Sequence, residues 1–131
     1  MIGVDTNILV RYLAQDDLSQ ARKADALMSE AMDDGNRLHI DDIVLCETVW
    51  VLRAAYRMGK ATIVATLDQI MSTALFSFDD RELLRSALAD YRDGSADFSD
   101  YVIGRHNARA GCQHTVTFDR SLRDDPTFQM L

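Results

Sequence analysis

Five carboxylates stand where chemistry can happen: Asp5, Glu47, Asp97, Asp100 and Asp119. Asp5 follows the short apolar run that contains Ile2 and Val4, and Asp119 follows the segment QHTVTF. Each therefore sits at the carboxyl end of a predicted strand, the edge at which open parallel α/β sheets collect ligands. Asp97 and Asp100 are three residues apart on a predicted helix and share a face. Glu47 is the only acid on the most apolar segment of the chain, and a helical projection places it among Ile43, Trp50, Val51, Ala54 and Met58. A carboxylate in such company is costly to desolvate unless a cation or donor meets it. Gathered at one edge, the five acids repel one another and their pKa values rise until a cation neutralises them. An all-oxygen donor set selects hard ions, Mg²⁺ or Mn²⁺. Phosphoryl chemistry suits such a site, because the ion lowers the pKa of bound water, orients it and stabilises the leaving oxygen. Both phosphodiesters and phosphomonoesters fit this description. Taken singly, the acids also have plainer readings: a helix cap for Asp5, a favourable first-turn position for Asp97 and Asp100, a structural ion pair for Glu47.

The elements that must position these residues follow from periodicity. A first strand ends at Asp5, and a helix begins at once over Ile8 to Leu13, capped by Thr6 or Asn7. Residues 15–35 carry Leu18, Ala21, Ala24, Leu27, Met28 and Ala31 at helical spacing, started by Asp16 or Asp17 and stopped by Gly35. Residues 37–41 are a short strand. Residues 43–58 are predicted as one helix ended by Gly59, with Glu47 looking inward. A helix over 60–73 presents Ile63, Val64, Leu67, Ile70 and Met71 as its inner face; residues 75–78 are ambiguous between strand and connector; a helix over 79–92 ends at Gly94. Ser95 or Asp97 caps a helix that runs to Gly111, where Gly104 and Ala108 form a small-residue face that a backbone can approach closely. A strand over 113–118 precedes Asp119, and a last short strand follows Pro126.

Composition bounds the rest. The chain has 131 residues, 47% of them hydrophobic, which describes one domain with a real core. No apolar run reaches the roughly 20 residues of a membrane span, and no signal-peptide pattern opens the chain. Cys46 and Cys112 form no CxxC, so reduced, buried thiols in a cytoplasmic protein are expected. The net charge of −7 argues against a large non-specific nucleic-acid surface. It is compatible with an enzyme that holds phosphate through divalent cations, which add positive charge where phosphate sits. His39, His106 and His114 make no zinc pattern, and there is no P-loop, GxGxxG or GxSxG.

Four segments resemble the acidic motifs of the PIN domain, and more narrowly of the VapC toxins: VDTNILVRYL from Val4, LCETVWVL from Leu45, ADFSDYVIG from Ala96 and TFDRSL from Thr117. The resemblance implies a three-layer α/β/α sandwich around a central parallel sheet and an endoribonuclease dependent on Mg²⁺ or Mn²⁺. It places the family acids on Asp5, Glu47, Asp100 and Asp119, with Asp97 as an additional acid and Thr6, Asn7 and Thr117 as supporting polar residues. It also implies a homodimer and a VapB-type antitoxin that enters the active-site groove. Arg11, Arg53, Arg57, Arg105, Arg109 and Arg120 are available to RNA, although solvated helix faces account for most arginines of this kind.

Three rivals fit less well. A phosphatase of the haloacid dehalogenase type needs a second Asp two residues after the first, where this chain has Asn7, and a late Lys, whereas the lysines are Lys23 and Lys60. A receiver-type domain needs an acidic doublet after the first strand. A catalytically silent PIN scaffold has no need of the full acidic set. An RNA-processing PIN nuclease outside any toxin–antitoxin pair shares every feature described.

Overall fold

The computed structural model describes residues 1–131, which divide into two compact units, Met1–Asp79 and Asp80–Leu131. The first unit is built on three parallel strands, β1 (Ile2–Gly3), β2 (Leu38–His39) and β3 (Phe76–Ser77), in that spatial order. Ile2 pairs with Leu38, and Leu38 with Phe76. Backbone bonds carry the ladder further, from Val4 N to His39 O and from Ile40 N to Ser77 O. Parallel neighbours need long crossovers. Here each crossover is a helix pair: α1 (Thr6–Ala14) with α2 (Leu18–Asp33), then α3 (Asp42–Ala54) with α4 (Lys60–Ser72). Residues 75–78, ambiguous in sequence, thus supply the third strand. Leu9, Leu38, Ile40, Leu45, Leu52, Ile63, Leu67 and Met71 are buried completely. Tyr12 meets Phe76 edge to face at 6.4 Å.

Two boundaries depart from the sequence reading. The cap of α1 is Asp5, whose Oδ1 accepts from Thr6 N at 2.8 Å; Thr6 and Asn7 are already helical. Helix α3 stops at Ala54, short of Gly59. The chain turns through Arg57 at φ 50°, a left-handed conformation unusual outside glycine, and Gly59 instead precedes α4 as its N-cap.

The second unit pairs α5 (Arg81–Asp93) with α6 (Phe98–Arg109) and adds a parallel ribbon of β4 (Thr115–Thr117) and β5 (Phe128–Met130). Tyr91 and Phe98 meet edge to face at 6.0 Å. The Arg105 guanidinium grips both Asp90 oxygens at 2.7 and 2.8 Å, and Arg109 pairs with Asp80. The small face of α6 receives a side chain rather than the backbone expected, and only at Gly104, since Ala108 is exposed: a Cβ on Gly104 would lie 2.8 Å from the Phe128 ring. All strand pairs are parallel, so the chain is the α/β fold expected. Cys46 is buried, but Cys112 is exposed, contrary to the expectation for both thiols, because it lies just beyond the last turn of α6. No helix is long and apolar enough to cross a membrane.

Candidate active site

In the first unit, the end of β1 delivers Asp5 to the mouth of a cleft of about 430 Å³, lined also by Thr6, Asn7, Val10, Arg11, Glu47, Val51, Ala55 and Tyr56. Thr6 is the hinge of this cleft. It is only 8% exposed, and its hydroxyl donates to Glu47 Oε2 at 2.9 Å, tying α1 to α3 across 41 positions of sequence. The two acids are thereby linked through adjacent residues: Asp5 holds the Thr6 amide, and the Thr6 hydroxyl holds Glu47.

Glu47 does not face the core. The buried face of α3 is Leu45, Cys46, Thr48, Val49 and Leu52, whereas Ile43 and Trp50 on the Glu47 side are 67% and 48% exposed. The apolar company inferred from the helical projection is real, but it stands at the surface. Segment 43–54 is apolar nearly all round, so periodicity alone selects no inner face.

In the second unit, Asp97 caps α6, and the Asp97 amide donates to Asp100 Oδ2 at 3.1 Å within a capping box. Partial burial holds the Asp100 carboxyl above its usual range, and the nearby charges of Asp97 and Asp119 push the same way. Asp119 is exposed and caps a single 3₁₀ turn, Arg120–Leu122. Its Oδ1 accepts from Ser121 Oγ at 2.7 Å and from Ser121 N at 2.9 Å, which lowers its pKa. Thr117 Oγ1 accepts from the Asp119 amide at 3.0 Å and fixes the turn that presents the acid.

Capping is the common device. Asp5, Asp97 and Asp119 open helical segments, as do Asp17, Asp41 and Asp80 elsewhere. A capping position therefore does not mark a site acid in this chain. What separates Asp5 is its place beside Glu47 in an open cleft; what separates Asp100 is burial beside two further carboxylates. The donor set is all carboxylate, which suits a hard divalent ion. Within neither unit do three potential ligands gather at ion-holding spacing. The first unit offers Asp5 and Glu47, the second Asp97, Asp100 and Asp119. His39 lies on β2 beside Ser77 and Asp79, and His106 and His114 are exposed.

Two contributors escaped the sequence reading. Ser121 is signalled by the local pattern Asp-x-Ser, in which a side chain bonds the backbone two residues on. Tyr56, which lines the cleft, carries no such signal, because its placement depends on where α3 ends.

Residues 2–124 match the model of the PIN domain. The chain is also similar to a VapC ribonuclease of Aquifex aeolicus (strain VF5), with 21% identity over 120 residues, covering 92% of this chain and 88% of that protein. A match over nearly the whole length, together with parallel strands and an acid at the end of the first, makes the chain a member of the PIN domain family.

Proposed function

We propose that the chain is one PIN nuclease domain whose carboxylates serve Mg²⁺ or Mn²⁺, and that the protein is an endoribonuclease, the toxin of a VapBC-type pair. The observation that carries this reading is the cleft in which Asp5 and the Thr6-bound Glu47 carboxylate stand together. Similarity to a VapC ribonuclease supports RNA as the substrate. A divalent ion, when bound, supplies Lewis acidity toward water and charge compensation at the phosphate. Asp5, Glu47 and Asp100 are the residues that would hold it, with Asp97 and Asp119 as further acids of the set. Thr6 keeps Glu47 in one orientation, Thr117 and Ser121 keep Asp119 in another, and Asn7 borders the cleft. The ionised carboxylates also offer a place for the proton released from the attacking water. The exposed Ile43 and Trp50 on α3 support a homodimer, and an open groove beside Glu47 supports capture by a VapB-type antitoxin. Two cysteines that form no CxxC and an RNA substrate fit a cytoplasmic protein.

The test uses purified protein and fluorogenic RNA in Mg²⁺, in Mn²⁺ and in EDTA. Asp5→Asn and Glu47→Gln each lower cleavage by about 100-fold or more, the scale on which loss of one electrostatic group at a reacting centre is felt. Cleavage that survives EDTA or either substitution refutes the site. Growth arrest on expression, relieved by the product of a small adjacent upstream reading frame, tests the toxin assignment separately. Absence of arrest leaves an RNA-processing nuclease.

A further inference from the structure

Resting on the ribonuclease reading above, we infer that Arg11 is a substrate-binding residue that grips an RNA backbone phosphate neighbouring the one under attack, on a mount made by Tyr56, Gln20 and Asp16. Arg11 is the only cation lining the cleft that holds Asp5 and Glu47. Its Nε donates to Gln20 Oε1 at 2.6 Å, and its Nη1 donates to the Tyr56 hydroxyl at 3.1 Å and to Asp16 Oδ1 at 3.3 Å. The Tyr56 hydroxyl in turn donates to Asp16 Oδ2 at 2.7 Å. The three partners come from three separate segments: α2, the link before it and the link after α3. One edge of the guanidinium is thus fixed, while Nη2 donates to no protein group and the side chain remains 31% exposed.

A planar fork already immobilised loses little entropy on meeting a phosphate. The need for it is electrostatic. The chain carries −7 overall, and the cleft presents two carboxylates to an incoming polyanion. Arg11 is six residues beyond Asp5, about 9 Å along a helix axis at 1.5 Å per residue. That offset suits an adjacent phosphate and places Arg11 outside the ion's own ligand shell. Asp16 holds the fork in place and also tempers its charge.

The test is fluorescence anisotropy of an end-labelled single-stranded RNA oligomer with the full chain, in Ca²⁺, over roughly 50–200 mM salt, the range in which counterion release is read. Arg11→Gln binds about tenfold more weakly, and its plot of log affinity against log salt is shallower by about 0.7, the increment of one single-strand phosphate contact. Arg11→Lys keeps the parental slope with intermediate affinity, since charge is retained and the fork is lost. Asp16→Asn acts in the opposite direction, tightening binding and steepening the slope, an effect that a purely structural role for the network does not produce. Arg11→Gln with parental affinity and slope, in a parent that cleaves RNA, overturns the inference and leaves the ribonuclease reading intact. So does Asp16→Asn that only lowers thermal stability. A parent that neither binds nor cleaves RNA removes both.

Discussion

Replacing Thr6 by Val deletes one oxygen and tests whether Glu47 needs to be held. In the parent, the Thr6 hydroxyl donates to Glu47 Oε2 at 2.9 Å from a position only 8% exposed. A hydrogen bond to a charged group contributes about 1.5–3 kcal/mol when both partners are shielded. Glu47 is exposed, so water replaces the lost donor and the stability cost falls to about 0.5–1 kcal/mol. For a chain of this length that is a drop of about 2–4 °C in Tm. The functional effect is larger. Removing a group that orients a metal-binding side chain typically weakens the metal by about 10–100-fold. Calorimetric titration with Mn²⁺ and a thermal melt, run on the same preparation, separate the two effects. A variant that melts a few degrees lower yet binds Mn²⁺ as tightly as the parent refutes the claim that Thr6 positions Glu47 for an ion. Loss of Mn²⁺ affinity with little change in Tm supports it.

Further outcomes follow from the second unit and the thiols. The Asp100 carboxyl titrates above the ordinary value of 3.8, chiefly through burial, so the folded chain keeps this proton over a window in which the unfolded chain has lost it. Stability therefore falls as pH rises through that window, and metal-free Asp100→Asn melts above the parent at neutral pH, with the difference closing on acidification; a variant that melts below the parent at neutral pH contradicts this. Gly104→Ala drives a methyl to 2.8 Å from the Phe128 ring and lowers stability by about 1–3 kcal/mol in a denaturant titration; a neutral result means that the ring moves freely. A thiol reagent modifies Cys112 rapidly and Cys46 only on unfolding, and two equally fast thiols contradict the burial of Cys46.

Amphipathic helices were the legible part of this chain. Ala21, Ala24, Met28 and Ala31 are the buried line of α2, while Leu18 of the same predicted line is 69% exposed at its first residue and Leu27 is half-buried; Leu83, Leu84, Ala87, Leu88 and Tyr91 are the buried line of α5, where polar residues on the opposite side leave one choice of face. Helix α3 was not legible in the same way. With apolar residues on every side, its inner face is chosen by the strands and helices it packs against, and Glu47 emerges on the outer one. The end of α3 was misplaced for a related reason. The sequence marks a stop at Gly59, but tertiary packing stops the helix at Ala54 and lets Arg57 take the left-handed turn. Of the acids, the strand-end positions of Asp5 and Asp119 were readable from the apolar runs before them. The bond from Thr6 to Glu47 was not, since it joins residues distant in sequence.

The capping role of Asp5, Asp97 and Asp119 also bears on how such a chain can drift. Each carboxylate has a charge that an ion would use and an oxygen that the helix start uses. Asn keeps the oxygen and drops the charge, whereas Ala drops both and forfeits about 1 kcal/mol of capping at each position. A lineage under pressure to silence the protein therefore has a nearly fold-neutral path through Asp-to-Asn changes. A copy that decays without selection on its fold has no reason to favour that path. The residue found at these three positions in a descendant would record whether its inactivity was selected or merely tolerated.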